Sequence, residues 1–415
     1  MHPTPRTGRR SPVWPGGRSP IRSGPRRAVV AALLTLGLVL SVGGCNSDAN
    51  GAGSPGTIKI GLLASLSGTY EAVGTEIRDG FELYLRLHDG RLGGHKIELI
   101  VADEGNGAPT AVPAATKLLK QDRVHVLTGI VGGGSVAAVY PLLTEAKVPF
   151  VGSNGRPELR DVSRIWTTSY LSDEPGAAIA QYVKDNVKGE VFAIGPDYQG
   201  GWDELRGFTE EFTRIGGKLA NPDGKTLWTP FPQTTNFTPY FAQIKASGAA
   251  AVYTFYAGTA AVDFVKQYAQ SDIRDLPLYA AGFLTEGGVL AAQGEAARNI
   301  YSVLNYSPDL DNAENRRFVA AWKTDHDGSP TTYAMASYDA AAVLDKAIAA
   351  AGENPTPEEI NQAIAGLGQI DSPRGTWQFS PTTHSPVQKW YLRQVRPDGR
   401  ALSNTVVGDL ATVGG

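Results

Sequence analysis

From Thr57 onward the chain alternates short β-branched runs with longer stretches of helical spacing, a pattern that restricts the fold to βαβ units around parallel sheets. The first strands read as Ile58–Leu63, Lys96–Ala102, Val124–Thr128 and Val148–Val151. Between them, Glu76 to Leu87 sets Ile77, Phe81, Tyr84 and Leu85 on one helical face, and Ala111 to Lys120 forms a second helix. The pattern then restarts with strands at Glu190–Ile194, Ala250–Phe255 and Leu276–Ala280, and helices near Asp203–Ile215, Pro239–Ala246 and Ala260–Ala269. Ile300–Leu304, a helix near Asn312–Asp325, the alanine-rich Tyr333–Ala351 helix and two late strands, Gly375–Phe379 and Lys389–Val395, complete the reading. This stretch is longer than one hydrophobic core usually serves. The expected fold class is α/β, with two doubly wound parallel-sheet lobes.

Upstream of Thr57 the sequence has a different character. Arg26 and Arg27 precede an uncharged, mainly apolar run, Ala28 to Gly44, that ends at Cys45, the only cysteine in 415 residues. A basic segment, an apolar stretch short for a bilayer and small residues at the end read as an export signal over residues 1–44. Leu40-Ser-Val-Gly-Gly-Cys45 resembles a bacterial lipobox, which implies lipidation of Cys45 and a flexible tether over residues 45–56. The bland alternative is a chance cysteine behind an ordinary signal. The arginine pairs leave the export route open, and the long leader leaves the true start open. Without a second cysteine the exported domain has no intramolecular disulfide, so core packing must hold it together. A formal net charge of −3 and a pI near 6.1 leave no basic footprint for nucleic acid. The scattered histidines give no metal-ligand spacing, so no cofactor or metal is expected.

Two turns stand out as places for chemistry. Gly129-Ile-Val-Gly-Gly-Gly-Ser135 follows a strand and leads into a helix, so its N–H groups suit an anion. Carboxylate cradle, tight packing and nucleotide loop are the competing readings, although the P-loop lysine and the G-x-G-x-x-G spacing are missing. Gly152-Ser-Asn-Gly155 follows the next strand and would lie beside the first turn. Ser153 and Asn154 suit ligand contact or ordinary capping duty.

Taken together, Ile58-Lys-Ile-Gly…Leu66-Ser-Gly68, Gly74, Gly132 to Ser135, Pro157-Glu-Leu159 and Tyr338-Asp-Ala-Ala341 resemble the leucine/isoleucine/valine-binding proteins, solute receptors of ABC importers. The resemblance covers the whole chain beyond the tether. It implies a type I periplasmic binding protein, a Venus flytrap whose lobes comprise residues 57–172 plus 305–380 and 173–304 plus 385–413. The hinge crossovers fall near Leu171–Asp173, Leu304–Ser307 and Ser380–Pro386, and closure of the lobes would trap the ligand. By the same resemblance Gly133, Gly134, Ser135, Ser153 and Gly155 hold a ligand carboxylate, with Asn154 beside them. The second-lobe acid that takes an amino-acid ligand's ammonium is replaced near its expected place by Phe283, with Glu286 displaced along the loop. If Glu286 does not reach, the ligand lacks an α-ammonium. Tyr70, Tyr198, Tyr256 and Phe283, all just beyond strand ends, are assigned to the cleft walls, or alternatively to core or surface. Tyr333 and Tyr338 are read as packing the long helix, and Trp202 as packing a helix start.

The expected function is capture of a small carboxylate, a branched-chain or other amino acid, by a monomeric lipid-anchored protein on the outer face of the membrane, with delivery to an ABC permease and its ATPase. An aromatic acid or amide as cargo, or a sensing receptor, are the alternatives. An exported enzyme is the least favoured, because no G-x-S-x-G elbow or S-x-x-K motif is present.

Overall fold

The computed structural model describes residues 56–399 and 401–414. The leader, Cys45 and the tether up to Pro55 lie outside the described residues. The chain first lays down β1 (Ile58–Ala64), α1 (Glu71–Leu87), β2 (Arg91–Leu92), β3 (His95–Asp103), α2 (Ala108–Thr116), β4 (Val126–Gly129), α3 (Gly133–Ala146), β5 (Phe150–Gly152) and β6 (Ile165–Thr167). They form a sheet of order β2-β3-β1-β4-β5-β6, parallel from β3 to β6 with β2 antiparallel at the edge. β1 is buried along almost its whole length, as a central strand covered on both faces must be.

A second sheet follows, with α4 (Glu174–Asn186), β7 (Val191–Asp197), α5 (Gln199–Arg214), β8 (Leu227–Pro230), α6 (Thr238–Ser247), β9 (Ala251–Thr254), α7 (Gly258–Gln270), β10 (Leu278–Ala281), α8 (Gly288–Gln293) and β11 (Tyr301–Leu304). Helices α9 (Ala313–Trp322), α10 (Thr332–Ala351) and α11 (Pro357–Ala365) come next, and α10 packs along α1. A β-carbon on Gly80 would stand 2.2 Å from the Ala334 carbonyl oxygen, so the glycine and the small residues of α10 permit a close approach of the two helices. The last strands, β12 (Gln378–Phe379), β13 (Pro386–Asp398) and β14 (Ala401–Val413), return to the second sheet. Its order is β12-β13-β11-β10-β9-β7-β8, with β14 on β13.

The second sheet is parallel from β8 to β11, as a doubly wound lobe requires, and β13 is added antiparallel to β11, β12 and β14. β12 lies within the stretch assigned to the first lobe yet pairs with the second sheet. Strands β2, β6, β8 and β14 have no counterpart among the expected elements. β2, β6 and β8 are short, and β14 is a half-exposed strand of mixed apolar and polar residues carrying Gly408.

The chain passes between the lobes three times, from β6 into α4, from β11 back to α10 on the first lobe, and from there to β13, and one buried polar network joins the three crossings. Gln388 donates to the Ser169 carbonyl at 2.7 Å, and Asn305 donates to Gln388 at 3.0 Å. The Thr332 hydroxyl donates to Asn305 at 3.0 Å, and Arg374 donates to Gln388 at 2.6 Å. Arg374 also pairs with Asp339 at 2.6 Å, with both side chains almost wholly buried, and lies over the Trp377 ring.

Candidate ligand-binding cleft

Register places the two glycine turns side by side. β4 and β5 pair in parallel with Gly129 opposite Gly152, so the turns that leave them are neighbours. Gly129 adopts φ +94°, and a β-carbon there would stand 2.3 Å from the Leu63 carbonyl oxygen, which reserves the position for glycine. Asn154 ties the turns together by donating to the Val131 carbonyl at 2.7 Å.

Part of the first turn's donor capacity is already used within the protein. Glu104, buried just past β3, accepts from the Val131 and Gly132 N–H groups at 2.6 and 2.9 Å. Burial pushes its carboxyl up, against those hydrogen bonds, which hold it down. The next N–H groups, of Gly133, Gly134 and Ser135, open α3 and have no intrahelical acceptor, since the first helical bond runs from Val136 to Gly132. They are the donors available to an anion at the positive end of the helix.

The cleft is partly open to solvent and is lined from both lobes. Tyr70, Val73, Val131, Gly132, Gly133, Asn154, Gly155 and Tyr333 line it from the first lobe and Ser172 from a crossover. Tyr198, Gly200, Glu204, Phe255, Ala257 and Phe283 line it from the second lobe. The walls are aromatic: the Phe283 ring stacks on Tyr333 at 5.2 Å and on Tyr170 at 5.9 Å. At the rim the Tyr70 hydroxyl donates to that of Tyr198 at 3.3 Å, which joins the lobes. Burial pushes the Tyr70 hydroxyl up to about 12, so it stays protonated.

Six of the expected site residues meet in this cleft: Tyr70, Gly133, Asn154, Gly155, Tyr198 and Phe283. Others do not line it. Gly134 is exposed on α3. Ser135 is buried beside Glu104 without closing a hydrogen bond of ordinary geometry, and Ser153 is buried with its hydroxyl unpartnered. Tyr256 lies in the second lobe's core, bonded to Thr229 at 3.0 Å and stacked on Phe264. Its neighbour Phe255 lines the cleft instead, as successive residues of an extended chain face opposite sides. Glu286 is held at 2.8 Å by buried Arg393 and accepts from the Thr332 N–H, so it is not free for a ligand.

The acid that does line the cleft is Glu204, on α5. Its side chain is 1 % exposed and Oε2 has no partner. Burial holds its carboxyl well above the usual carboxylate range, and Asp203, Asp173 and Glu174 reinforce this. In sequence Glu204 sits among Asp203, Glu210 and Glu211 and reads as solvated helix surface. It is buried because α4 and α5 approach through glycine: a β-carbon on Gly207 would meet the Asp173 carbonyl oxygen at 1.9 Å. Tyr333, read as helix packing, also reaches the cleft.

Residues 57–400 match the sequence profile of the periplasmic binding proteins. The chain belongs to that family. It is similar to the Leu/Ile/Val-binding protein homolog 6 of Brucella melitensis, 28% identical over 81% of this chain and 87% of the relative. Among solved structures it resembles an R. palustris ABC-transporter solute-binding protein in complex with benzoate, at 31% identity and TM-score 0.77 over 86% and 98% of the two chains. A second R. palustris solute-binding protein, in complex with 4-hydroxybenzoate, matches at 28% identity and TM-score 0.78 over 86% and 97%. A leucine-binding protein of Thermotoga maritima shares the fold at 19% identity and TM-score 0.76 over 85% and 98%.

In this periplasmic binding protein the lobes also meet at a carboxyl. Glu76 of α1 accepts from the Thr331 hydroxyl and stands against Gly287 of the second lobe, close to the Glu286 charge. Burial, then Glu286 and Asp79, push Glu76 from 4.5 up to about 8. Because its folded value is raised, its contribution is complete below pH 4.5 and is lost as pH rises through about 8. Urea midpoints of the wild type should therefore fall relative to Glu76→Gln between pH 5 and pH 9, crossing so that the variant is the more stable at high pH. Parallel pH profiles would refute the assignment.

Proposed function

We propose that this protein is the extracytoplasmic substrate-binding component of an ABC importer, and that its cargo is a small aromatic carboxylate. One observation carries the choice of cargo: five aromatic side chains, Tyr70, Tyr198, Phe255, Phe283 and Tyr333, line the same cleft as Gly133, whose free N–H opens α3. The carboxylate docks on those groups, the ring lies between the aromatic walls, and the second lobe closes over it. The similarity to a benzoate-bound solute receptor supports this reading. In the same proposal the protein is a monomer that binds without catalysis. It is anchored at the outer membrane face through Cys45, and its closed form docks on the permease of an ATPase-driven importer.

An aliphatic amino acid is the second reading. It is favoured by the Leu/Ile/Val-binding relatives and by Glu204, whose ionised form would suit an ammonium. A thermal-shift comparison of benzoate, 4-hydroxybenzoate, leucine, isoleucine and valine separates the two. The aromatic acids are expected to give the larger rise, equivalent to about 2.7 kcal/mol at a hundredfold excess over Kd. A rise with leucine and none with benzoate would transfer the assignment to amino acids. No rise with any ligand at millimolar concentration would remove the receptor reading.

A further inference from the structure

Resting on the aromatic-carboxylate reading, we propose that Glu204 is the specificity-determining residue of the second lobe, and that its neutral carboxyl hydrogen-bonds a hydroxyl on the ligand's ring. The geometry begins with an unanswered group. Glu204 lines the cleft, is 1 % exposed, and makes no side-chain hydrogen bond or ion pair among the described residues. Leaving a carboxyl buried without a partner costs several kcal/mol, so a structural role alone does not account for it.

Burial first, and then the acids around it, favour the neutral form of Glu204. Its neighbours Asp203, Asp173 and Glu174 are acids. The nearby cation Arg206 is committed to Asp173 at 3.0 Å and faces Asp203 at 3.8 Å. A ligand anion on α3 adds further negative charge to the same cleft. These surroundings favour the protonated carboxyl, which both donates and accepts and so matches a phenolic hydroxyl. Two buried hydroxyls without partners, Tyr170 and Tyr253, lie within electrostatic reach of Glu204 and extend this polar floor behind the aromatic walls.

A ligand lacking the hydroxyl leaves Glu204 unpaired, whereas a hydroxylated one satisfies it. The wild type should therefore bind 4-hydroxybenzoate about tenfold more tightly than benzoate, the worth of one well-made hydrogen bond. In Glu204→Leu the preference should vanish or invert, because benzoate no longer strands a carboxyl. Glu204→Gln, neutral yet able to donate and accept, should keep the preference to within about threefold.

Isothermal titration calorimetry of the three proteins with both acids, in two buffers of different ionisation enthalpy at pH 7, tests this directly. Binding of 4-hydroxybenzoate should move no net proton. Equal weakening of both acids in Glu204→Leu would overturn the proposal, as would loss of preference in Glu204→Gln, or net proton release on wild-type binding. Should Glu204→Leu fail to fold, the Gln variant and the proton count still decide. A wild type that binds both acids equally defeats this inference and leaves the proposed function standing. A wild type that binds neither defeats the aromatic-carboxylate reading on which the inference rests.

Discussion

Replacing Arg374 with leucine is expected to lower the free energy of unfolding by about 3–5 kcal/mol, a large share of the roughly 5–15 kcal/mol that domains possess. The size follows from what the guanidinium leaves behind. Asp339, about 1 % exposed, would lose its cation, and the Gln388 side chain and the Thr168 carbonyl would lose their donors. All of these lie at the crossings between the two sheets, so the loss should also loosen the hinge. Urea denaturation of the ligand-free protein measures it. The Arg374→Met/Asp339→Leu double variant, which removes both charges, should recover most of the stability. A single-variant loss below about 1 kcal/mol would mean that water reaches the pair and that the network is not what holds the crossings together.

The second large effect falls on binding. In Gly155→Val the first side-chain carbon would stand 2.9 Å from the Tyr170 ring and 3.2 Å from the Ser172 hydroxyl, and its methyl groups would enter the space beyond. Gly155 lines the cleft beside Asn154, so the intrusion occupies the volume a ring needs. The ligand-induced rise in melting temperature should disappear, a loss of at least a hundredfold in affinity at the concentrations that saturate the wild type. Gly134→Ala is the matched control. A β-carbon there meets nothing within 4 Å, and the N–H is retained, so its ligand-induced shift should stay close to that of the wild type. A preserved shift in Gly155→Val would place the ligand elsewhere.

How much of this was legible in the sequence depends on how far each residue's environment lies along the chain. β1 and β3 are periodic and β-branched, and local pattern suffices for them. β14 is half-exposed, mixes apolar and polar residues without clean alternation, and pairs along its length with the antiparallel edge of β13. The two glycine turns were readable because glycine itself marks the demand for backbone freedom. The fate of Glu286 was not, since its partner Arg393 lies 107 residues away. Glu204 was hidden for the converse reason: nothing in a charged helical segment announces that a neighbouring helix will bury one of its acids.

The Tyr70 and Tyr198 hydroxyls sit on opposite lobes, so their contact must break each time the cleft opens. A hydrogen bond of about 1 kcal/mol between them lengthens the residence time of the cargo by roughly fivefold. This contact acts on the clock of transport more than on recognition, because it touches the exit rate of every ligand alike. A receptor that holds and frees its ligand by hinge motion gains retention from this latch and loses speed of release by the same factor.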